Sequence, residues 1–450
     1  MINAAIVGLG RWGQNLVNSV QGKSDRIRFV AGVLRHPDKA REYADRQGLI
    51  LHDDLQAALA DPEIDAIVLA TPHTVHAAQI MSAVQAGKHV FTEKPFTLTQ
   101  QEAAAALRAA AARKVTLAVG YNWRFQPALH EIRDMLEDGR LGKLMHIEGN
   151  FCGPSAYRFG KSHWRQSREE GPAGGMTGRG VHVIDAMLYL AGRVDTVYAQ
   201  SDRLAQDFGI DDTTSMLFRF RNGVTAYLGT VIATAETWRM QVFGSKGWAE
   251  VGDVEHLSTW QMKVCYVNPE NLLAHHQPQI VSFPDTSTER AELEHFADAI
   301  ARGERLAVPG GDEEHGVAVF EAILRSARDK APVAVRAAAP VPGASPVRAN
   351  MPVDRTALRE KMGAPRKAAK KKAVAKKAGA RKAAVKKRAV KKAAVKKHTV
   401  RKAAVKKRAV RKAALRKSAV KKRPRPVRKT AKRSTAPRRS KVRARQSGRR

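Results

Sequence analysis

Cysteine is scarce in this chain, which has only Cys152 and Cys265 among its 450 residues. Two cysteines cannot form the disulfide network that stabilises small secreted domains. The N-terminus also lacks a basic segment followed by an apolar run, because Gly8, Gly10 and Gly13 interrupt the first hydrophobic stretch. No uninterrupted apolar run reaches the roughly 20 residues that a membrane span needs. These absences predict a cytoplasmic protein in a reducing compartment.

Acidic residues are missing from the C-terminal end of the chain. Residues 361–450 contain 41 Lys and Arg and no Asp or Glu. Residues 1–360 therefore have 39 basic and 42 acidic residues, a net charge of −3. The net charge of +38 belongs to the C-terminal part, and the rest of the chain has the composition of an ordinary, slightly acidic protein.

Residues 1–120 alternate short apolar runs with segments of helical composition. Five runs rich in Val, Ile, Leu and Ala are typical of buried strands: AAIV, IRFVAGVL, DAIVLATP, HVFTEKP and TLAVGYN. Asp54 and Thr99 precede two of the helical segments and are typical helix N-caps. This alternation predicts a parallel sheet with helices on both faces, a doubly wound Rossmann-type α/β domain over residues 1–120.

The pattern changes after residue 120. A helix (PALHEIRDMLEDG) leads into a strand (LMHIEGNF), and later runs alternate like the strands of hairpins. Asn222-Gly223, between TSMLFRF and VTAYLGTVIA, predicts a two-residue hairpin turn. These features predict an α+β domain with a mostly antiparallel sheet over residues 121–336. Residues 337–360 are rich in Pro and Ala and are predicted to be a linker.

The basic tail, residues 361–450, repeats with a ten-residue period over residues 381–420, in units of the KKAAV type. Five residues turn a helix by about 140° beyond a full turn, so no apolar stripe forms and neither a coiled coil nor an amphipathic membrane helix is favoured. So many like charges predict a disordered segment that binds a polyanion. The tail resembles the Lys/Ala-rich tails of linker-histone-like proteins, which implies sequence-independent DNA binding. RNA and polyphosphate are the alternatives, although no aromatic residue follows residue 360 to stack on single strands.

GLGRWG places Gly8, Gly10 and Gly13 directly after the first predicted strand and at the start of the first helix. The first glycine permits a tight turn, the second lets a pyrophosphate approach the backbone, and the third allows close packing of helix on strand. The second strand ends in VLRHP, without the acidic residue that binds a ribose 2′-hydroxyl. Arg35 in that position suits a 2′-phosphate, which predicts NADP in preference to NAD. A merely solvated loop arginine is the alternative.

Four further segments extend this pattern along the chain: TPHTVHAAQIMSAVQAGKHVFTEKPFTLT, WRFQPALHEIRDMLEDGRLGKL, GRGVHVIDAML and ELEHFADAIARGE. Together with the glycine loop they resemble the glucose–fructose oxidoreductase / inositol dehydrogenase / MocA family of dehydrogenases, over residues 1 to about 336. The resemblance implies a Rossmann domain followed by an open-sheet domain often used for homo-oligomerisation. It implies hydride transfer between a sugar- or polyol-like alcohol and a nicotinamide ring. The cofactor-binding residues it implies are Gly8, Gly10, Arg11, Trp12, Gly13, Arg35, Thr71, Pro72, His76, Glu93 and Lys94.

Oxidation of an alcohol needs a base near its hydroxyl and a positive charge near the forming alkoxide. Lys94, in Glu93-Lys94-Pro95, matches the family's active-site lysine and follows a predicted strand, at the edge where such sheets bind ligands. His182 matches the family's proposed general acid/base, and Asp185, three residues on, faces the same side of the helix. The predicted catalytic residues are therefore Lys94, His182 and Asp185. A packed or solvated histidine is the alternative for His182.

One position departs from the family pattern. Many members carry an Asp four residues before the histidine, where this chain has Gly178. Its absence either changes the substrate or the proton relay, or marks a member that no longer performs the reaction. The residues that match segments lining the family's substrate pocket are Arg124, His163, Trp164 and Arg165. No HExxH or CxxC spacing indicates a metal site, and no GxSxG indicates a serine nucleophile.

Two hypotheses follow. The first is an NADP- or NAD-dependent dehydrogenase that its tail tethers to DNA or another polyanion, in the cytoplasm and at the nucleoid. The second is a non-catalytic or sensor protein that binds the cofactor while the tail binds DNA as a histone-like structural element. The set Lys94, His182 and Asp185 favours the first hypothesis, and Gly178 favours the second.

Overall fold

The first sheet is parallel and has six strands in the order β3-β2-β1-β4-β5-β6. The computed structural model describes residues 1–257, 260–273, 276–304 and 313–336. The six strands are β1 (Ile2–Val7), β2 (Ile27–Val33), β3 (Ile50–His52), β4 (Ala66–Leu69), β5 (His89–Glu93) and β6 (Leu117–Gly120). The helices between them are α1 (Arg11–Val20), α2 (Arg41–Gln47), α3 (Leu55–Ala60), α4 (His76–Gln85) and α5 (Gln100–Arg113).

Both faces of this sheet are covered. Alternate residues of β1 enter two different hydrophobic cores, since Ala5 and Val7 pack with α3, α4 and α5, whereas Ala4 and Ile6 pack with α1 and α2. Burial on both faces explains why these strands are continuous apolar runs. The predicted doubly wound Rossmann architecture is confirmed, and Asp54 and Thr99 cap α3 and α5.

The second sheet has nine strands in the order β14-β13-β12-β11-β7-β10-β9-β8-β15. Only β7 and β10 pair in parallel within it, so the prediction of a mostly antiparallel sheet is confirmed for the described residues. The strands are β7 (Leu144–Cys152), β8 (Val194–Asp202), β9 (Thr213–Phe220), β10 (Thr225–Val231), β11 (Thr237–Gly244), β12 (Gly247–Asp253), β13 (Gln261–Tyr266), β14 (Gln279–Ser282) and β15 (Val333–Ala334). The remaining helices are α6 (Pro127–Glu137), α7 (Ser155–Arg158), α8 (Val181–Ala191), α9 (Thr288–Ala301) and α10 (Glu313–Asp329).

Helix α9 packs on the first sheet although it follows the second sheet in the chain. Leu293, Phe296 and Ala297 belong to the same core as α1 and α2, and the rings of Phe296 and Phe91 lie 5.8 Å apart. Residues far from the N-terminus therefore complete the core beside the glycine loop. The domain limits given above remain predictions. The linker 337–360 and the basic tail 361–450 lie outside the described residues, as does every prediction about them.

The structure differs from the local predictions at two places. The hairpin between β9 and β10 has a three-residue connection rather than a two-residue turn, because Phe220 N donates to Val224 O and Gly223 N donates to Phe220 O. Gly223 takes the left-handed conformation that such connections require, with φ at +88°. The strand β3 was also not predicted, since its three residues form no buried apolar run. Within the described part of the chain, no helix is both long and apolar enough to cross a bilayer.

Candidate active site

The glycine loop joins β1 to α1 at the carboxyl edge of the first sheet. Gly8 has φ at +94°, and a Cβ there would lie 2.6 Å from Ala70 O. A Cβ on Gly13 would lie 2.1 Å from Gly8 O, so both positions exclude any side chain. A Cβ on Gly10 would meet no described atom beyond its chain neighbours within 4 Å. The loop thus leaves its second glycine open in front of α1, whose N-terminus has no side-chain cap. This is the shape that lets a pyrophosphate reach the helix N–H groups.

Two arginines flank this loop without acidic partners in the described part of the chain. Arg11 is the first residue of α1, and Arg35 lies two residues beyond β2. Both side chains are exposed, and neither takes part in the ion pairs of the described residues. Arg35 is therefore exposed just beyond the end of the second strand, and its contact with a nucleotide stays a prediction.

His76 holds two loops of this edge together. Its Nδ1 lies 2.9 Å from Pro95 O and its Nε2 lies 3.1 Å from Thr71 O, and the side chain is fully buried. Thr71 Oγ1 donates to Gln79 at 2.6 Å, and Pro72 follows it in the same half-buried loop. Because both ring nitrogens of His76 face main-chain carbonyls, the geometry favours a positioning role over the cofactor contact that the sequence predicts.

Lys94 follows directly after β5, and the Lys94–Pro95 peptide is cis. Its Nζ donates to the main-chain oxygen of Gly178 at 2.9 Å, so the residue that departs from the family pattern contacts the predicted catalytic lysine. Burial lowers the pKa of Lys94 to about 8, with Glu93 opposing this shift and Arg165 adding to it. A pKa near neutrality suits a group that accepts a proton at physiological pH.

His182 lies in the first turn of α8, immediately after a π-helical turn over Met176–Gly180. Its ring stacks on Trp123 at 5.5 Å, and its Nδ1 has no hydrogen-bond partner among the described residues. Burial, reinforced by the positive charge of Lys94, holds the pKa of His182 well below its usual value. The imidazole is therefore neutral at physiological pH, and it lies within electrostatic reach of Lys94.

Asp185 and Arg124 form a buried ion pair, which corrects the roles that the sequence predicts for both. Arg124 Nε donates to both carboxylate oxygens of Asp185 at 3.0 and 2.8 Å, and its Nη2 donates at 2.7 Å. The two side chains are 1% and 6% exposed. Burial raises the pKa of Asp185, while Arg124 lowers it. With both oxygens engaged, Asp185 is placed to anchor α8 rather than to assist His182, and Arg124 does not present a free guanidinium to a substrate.

The segment that follows α7 reaches across to the first sheet. Trp164 packs edge-on against His73 at 5.4 Å, and the Arg165 guanidinium lies 4.3 Å from the Trp164 ring centre. Glu170 accepts hydrogen bonds from Thr74 N at 3.1 Å and Thr74 Oγ1 at 2.5 Å, at the start of α4. The structure thus brings Trp164 and Arg165 to the site. His163 instead stacks on Phe159 at 4.2 Å and accepts from Arg165 N.

Gly178 leaves open space in the site. A Cβ at this position would meet nothing within 4 Å in the described part of the chain, apart from its own helix backbone and chain neighbours. An aspartate would therefore fit here without a clash of its first carbon. The glycine removes a carboxylate from the neighbourhood of Lys94, while its carbonyl still orients the lysine.

Two groups at this edge have no counterpart in the sequence predictions. Arg179 pairs with Glu236 at 2.5 Å, and it lowers the pKa of Lys94 and His182. Glu292, on α9, is almost fully buried within electrostatic reach of Lys94. No signal in the sequence marks Glu292, because it is one of several acidic residues on α9 and its burial follows from the packing of that helix on the first sheet.

Comparison with known proteins decides the family. A protein-family sequence model described as "Oxidoreductase family, NAD-binding Rossmann fold" matches residues 2–121. The family model of the GFO/IDH/MocA C-terminal domain matches residues 129–250. The chain belongs to the GFO/IDH/MocA family. The resemblance inferred from the sequence is therefore confirmed, and with it membership of an oxidoreductase family that has an NAD-binding Rossmann fold.

Three proteins similar to this chain match it along nearly their whole length. Inositol 2-dehydrogenase of Rhizobium meliloti is 27% identical over 344 residues, which cover 74% of this chain and 99% of that protein. The D-xylose 1-dehydrogenase (NADP(+)) 2 of Haloferax volcanii is 26% identical over 326 residues, which cover 71% of this chain and 95% of that protein. The crystal structure of aldose-aldose oxidoreductase from Caulobacter crescentus, complexed with glycerol, superposes with a TM-score of 0.67 at 25% identity. The superposition covers 74% of this chain and 99% of that protein.

The residues of this GFO/IDH/MocA protein fit a nicotinamide dinucleotide. The open Gly10 can receive a pyrophosphate. Near the carboxyl ends of β5 and β6, three buried polar atoms have no hydrogen-bond partner among the described residues: Asn122 Oδ1 and Trp123 Nε1, in the turn that follows β6, and His182 Nδ1 on α8. Buried polar atoms in native proteins are nearly always satisfied, so these atoms fit the polar groups of a bound cofactor and substrate.

Proposed function

We propose that this protein is an NADP-preferring dehydrogenase that transfers a hydride between a sugar- or polyol-like alcohol and the nicotinamide ring. The observation that carries the proposal is the placement of Lys94. This lysine follows β5 at the carboxyl edge of the Rossmann sheet, its Nζ is fixed on Gly178 O, and it lies within electrostatic reach of the buried His182. A lysine with a pKa of about 8 at the ligand-binding edge is suited to accept a hydroxyl proton.

The substrate class rests on the relatives. Those described above are named for inositol, D-xylose and aldoses, all of them compounds with several hydroxyl groups. We propose that the substrate of this chain has the same chemistry and is a cyclic or open-chain polyhydroxy compound. Gly178 leaves room beside Lys94 for a group that an aspartate would displace, which favours a substrate bulkier at this point.

The chain's own residues have distinct roles in this proposal. Lys94 accepts the proton of the substrate hydroxyl, and in the reverse direction it returns that proton. His182, which is neutral, orients the hydroxyl through a hydrogen bond without adding charge. Arg124 and Asp185 hold α8, and so His182, in place. The bound nicotinamide ring supplies the carbon that accepts or gives the hydride.

The preference for NADP rests on Arg35. The residue is exposed at the end of β2, and the loop offers no carboxylate at the same place for a ribose 2′-hydroxyl. A guanidinium forms strong, charge-assisted hydrogen bonds to a phosphate. Arg11 lies at the start of α1, where it can contribute to binding the pyrophosphate.

The basic tail, residues 361–450, adds a second part to the proposal: it tethers the enzyme to DNA and so to the nucleoid. Its 41 positive charges and its lack of acidic residues support binding to a polyanion through backbone phosphates. If about ten phosphates are neutralised, the logarithm of the binding constant falls against the logarithm of the salt concentration with a slope near −9. A slope shallower than about −3 in a DNA titration contradicts this account. Equal affinity for RNA and polyphosphate contradicts a preference for DNA.

Gly178 supports a second candidate function, a protein that binds the cofactor without turnover. The two candidates are separated by incubating the full chain with NADP⁺ or NAD⁺ and a panel of inositols, pentoses and hexoses, while the absorbance of the reduced nicotinamide is followed. The dehydrogenase proposal expects reduction with at least one compound, lowered by about a hundredfold or more in a Lys94→Ala variant. Nucleotide binding without reduction across the panel favours the non-catalytic candidate.

A further inference from the structure

Two histidines from distant parts of the chain lie side by side at the candidate active site. His182 is in the first turn of α8 and His256 is in the turn that follows β12, and their ring centres are 6.3 Å apart. The Phe151 ring, near the end of β7, contacts both, with its centre 6.1 Å from that of His182 and 4.8 Å from that of His256. Trp123 stacks on His182 at 5.5 Å and lies 6.5 Å from His256. Four rings from four segments therefore form one cluster.

The position of His256 is set by its main chain and by packing. The buried side chain of Gln126 donates through Nε2 to His256 O at 2.9 Å. The Phe151 ring against which His256 packs is itself held by Arg179, whose guanidinium lies 4.7 Å from the ring centre and donates to Cys152 O at 2.9 Å. No described residue forms a hydrogen bond with either ring nitrogen of His256. The imidazole is thus held in place without the use of its polar atoms.

The ring of His182 is also left without hydrogen bonds. The side chain is buried, and neither its Nδ1 nor its Nε2 has a partner in the described part of the chain. His73 and His76, by contrast, are buried at the same edge of the sheet and bond to main-chain oxygens at 2.6 to 3.1 Å. Buried polar groups in native proteins are nearly always hydrogen-bonded. Two neighbouring imidazoles without protein partners are therefore suited to bind a ligand.

The chemistry of that ligand follows from the charge and the spacing of the two rings. Burial holds the pKa of His182 well below its usual value and lowers the pKa of His256 to about 4, so both imidazoles are neutral at physiological pH. A neutral imidazole has one donor and one acceptor, which complement a hydroxyl group better than a carboxylate or a phosphate. Because a hydrogen bond spans about 2.7–3.2 Å, the two rings are too far apart to bond to each other, but they can bind two oxygens of one small molecule.

We propose that His256 binds a second hydroxyl of the substrate, on the carbon next to the one that reacts at Lys94 and His182. Lys94 donates to Gly178 O at 2.9 Å, four residues before His182, so the reacting hydroxyl lies on the His182 side of the cluster. The site then selects a compound with hydroxyls on neighbouring carbons, a vicinal diol, over an alcohol with one hydroxyl. This inference rests on the proposed function, and it names the structural element that the substrate must contain.

The test is an NMR titration of the full chain with isotope-labelled histidine, in which the ring signals of His182 and His256 are assigned from His182→Gln and His256→Gln variants. The probes are the cis and trans cyclohexanediols with hydroxyls on neighbouring carbons, and cyclohexanol. NADPH is present, so that the alcohol cannot give up a hydride. At least one diol is expected to shift both ring signals in one saturable curve and to bind more tightly than cyclohexanol by about fivefold or more. His256→Leu is expected to remove that preference and to leave the affinity for cyclohexanol unchanged.

Three results would overturn the proposal. Cyclohexanol binds as tightly as both diols, or His256→Leu keeps the preference for the diol, or no probe shifts either signal. Should His256→Leu fail to fold, the unsubstituted chain still decides the question, because a saturable shift of His182 without one of His256 contradicts the contact.

His146→Leu is the matched control. His146 lies on β7 with Phe151, but its side chain is on the other face of the sheet, where its Nδ1 lies 2.8 Å from Thr225 Oγ1. The same chemical change there is expected to leave the preference for the diol unchanged. The titration measures binding alone. Preferential binding without reduction of the nucleotide therefore removes the dehydrogenase proposal and keeps the diol site, whereas turnover with an unchanged preference in His256→Leu removes the diol site alone.

Discussion

The substitution Asp185→Asn is expected to destabilise the fold strongly. Arg124 makes three hydrogen bonds to the two oxygens of Asp185, and the two side chains are only 1% and 6% exposed. The substitution keeps the shape of the side chain but leaves the Arg124 guanidinium buried without its counter-ion. Breaking a buried pair in this way costs about 3–5 kcal/mol. We therefore expect the free energy of unfolding to fall by about this amount.

Urea unfolding followed by tryptophan fluorescence measures the effect. Glu42→Gln is the control, because Glu42 pairs with Arg46 one turn along α2 in an exposed position. Loss of that pair is expected to change the free energy of unfolding by less than about 1 kcal/mol. Replacing both buried partners, with Arg124→Met and Asp185→Leu together, is expected to restore most of the stability, since no charge is then left unpaired.

A loss below about 1 kcal/mol in Asp185→Asn would refute this reasoning. It would mean that the pair does not anchor α8, and it would return Asp185 to the role in proton transfer that the sequence predicts. The double variant provides an independent check, because failure to recover stability would show that the site needs the charges themselves.

Three further predictions concern the glycine loop, a buried histidine and Gly178. Gly10→Ala is expected to leave the urea midpoint unchanged, since its Cβ meets nothing, but to weaken nucleotide binding by about tenfold or more in a fluorescence titration. Burial lowers the pKa of His73 to about 3. The unfolded chain therefore binds one more proton between pH 6.5 and 3, and stability falls as the pH falls through this range. His73→Gln should make that slope shallower by about 1.4 kcal/mol per pH unit. Gly178→Asp should raise the pKa of Lys94 by about one unit, as measured by competitive acetylation at a series of pH values and mass spectrometry; no change would mean that the carboxylate points elsewhere.

The fold was largely predictable because its signals are local. Buried parallel strands are apolar on both faces, so AAIV and DAIVLATP are recognisable as runs, and the caps Asp54 and Thr99 mark helix starts. The strand β3 was missed because it is three residues long and partly exposed. The hairpin turn was placed at the right residues with the wrong length, because Asn-Gly occurs in both two- and three-residue connections.

The site was predictable only where a motif is contiguous. The glycine loop and Glu93-Lys94-Pro95 lie in single short stretches, and the structure brings them to one edge of the sheet. The partner of Asp185 is 61 residues away in the chain, and helical spacing indicates only which side of α8 it faces. Glu292 looks like one of several acidic residues on an amphipathic helix, and only the packing of α9 against the first sheet reveals that it is buried.

The measurement that tests the central claim most directly is a pair of fluorescence titrations with NADPH and NADH, on a chain that ends at Ser345 so that the basic tail does not bind the nucleotides. The account predicts saturable binding, with NADPH tighter than NADH by about tenfold or more, and loss of that difference in Arg35→Ala. Equal affinities would contradict the role of Arg35. Absence of binding by either nucleotide would contradict a working cofactor site, and with it the proposed dehydrogenase.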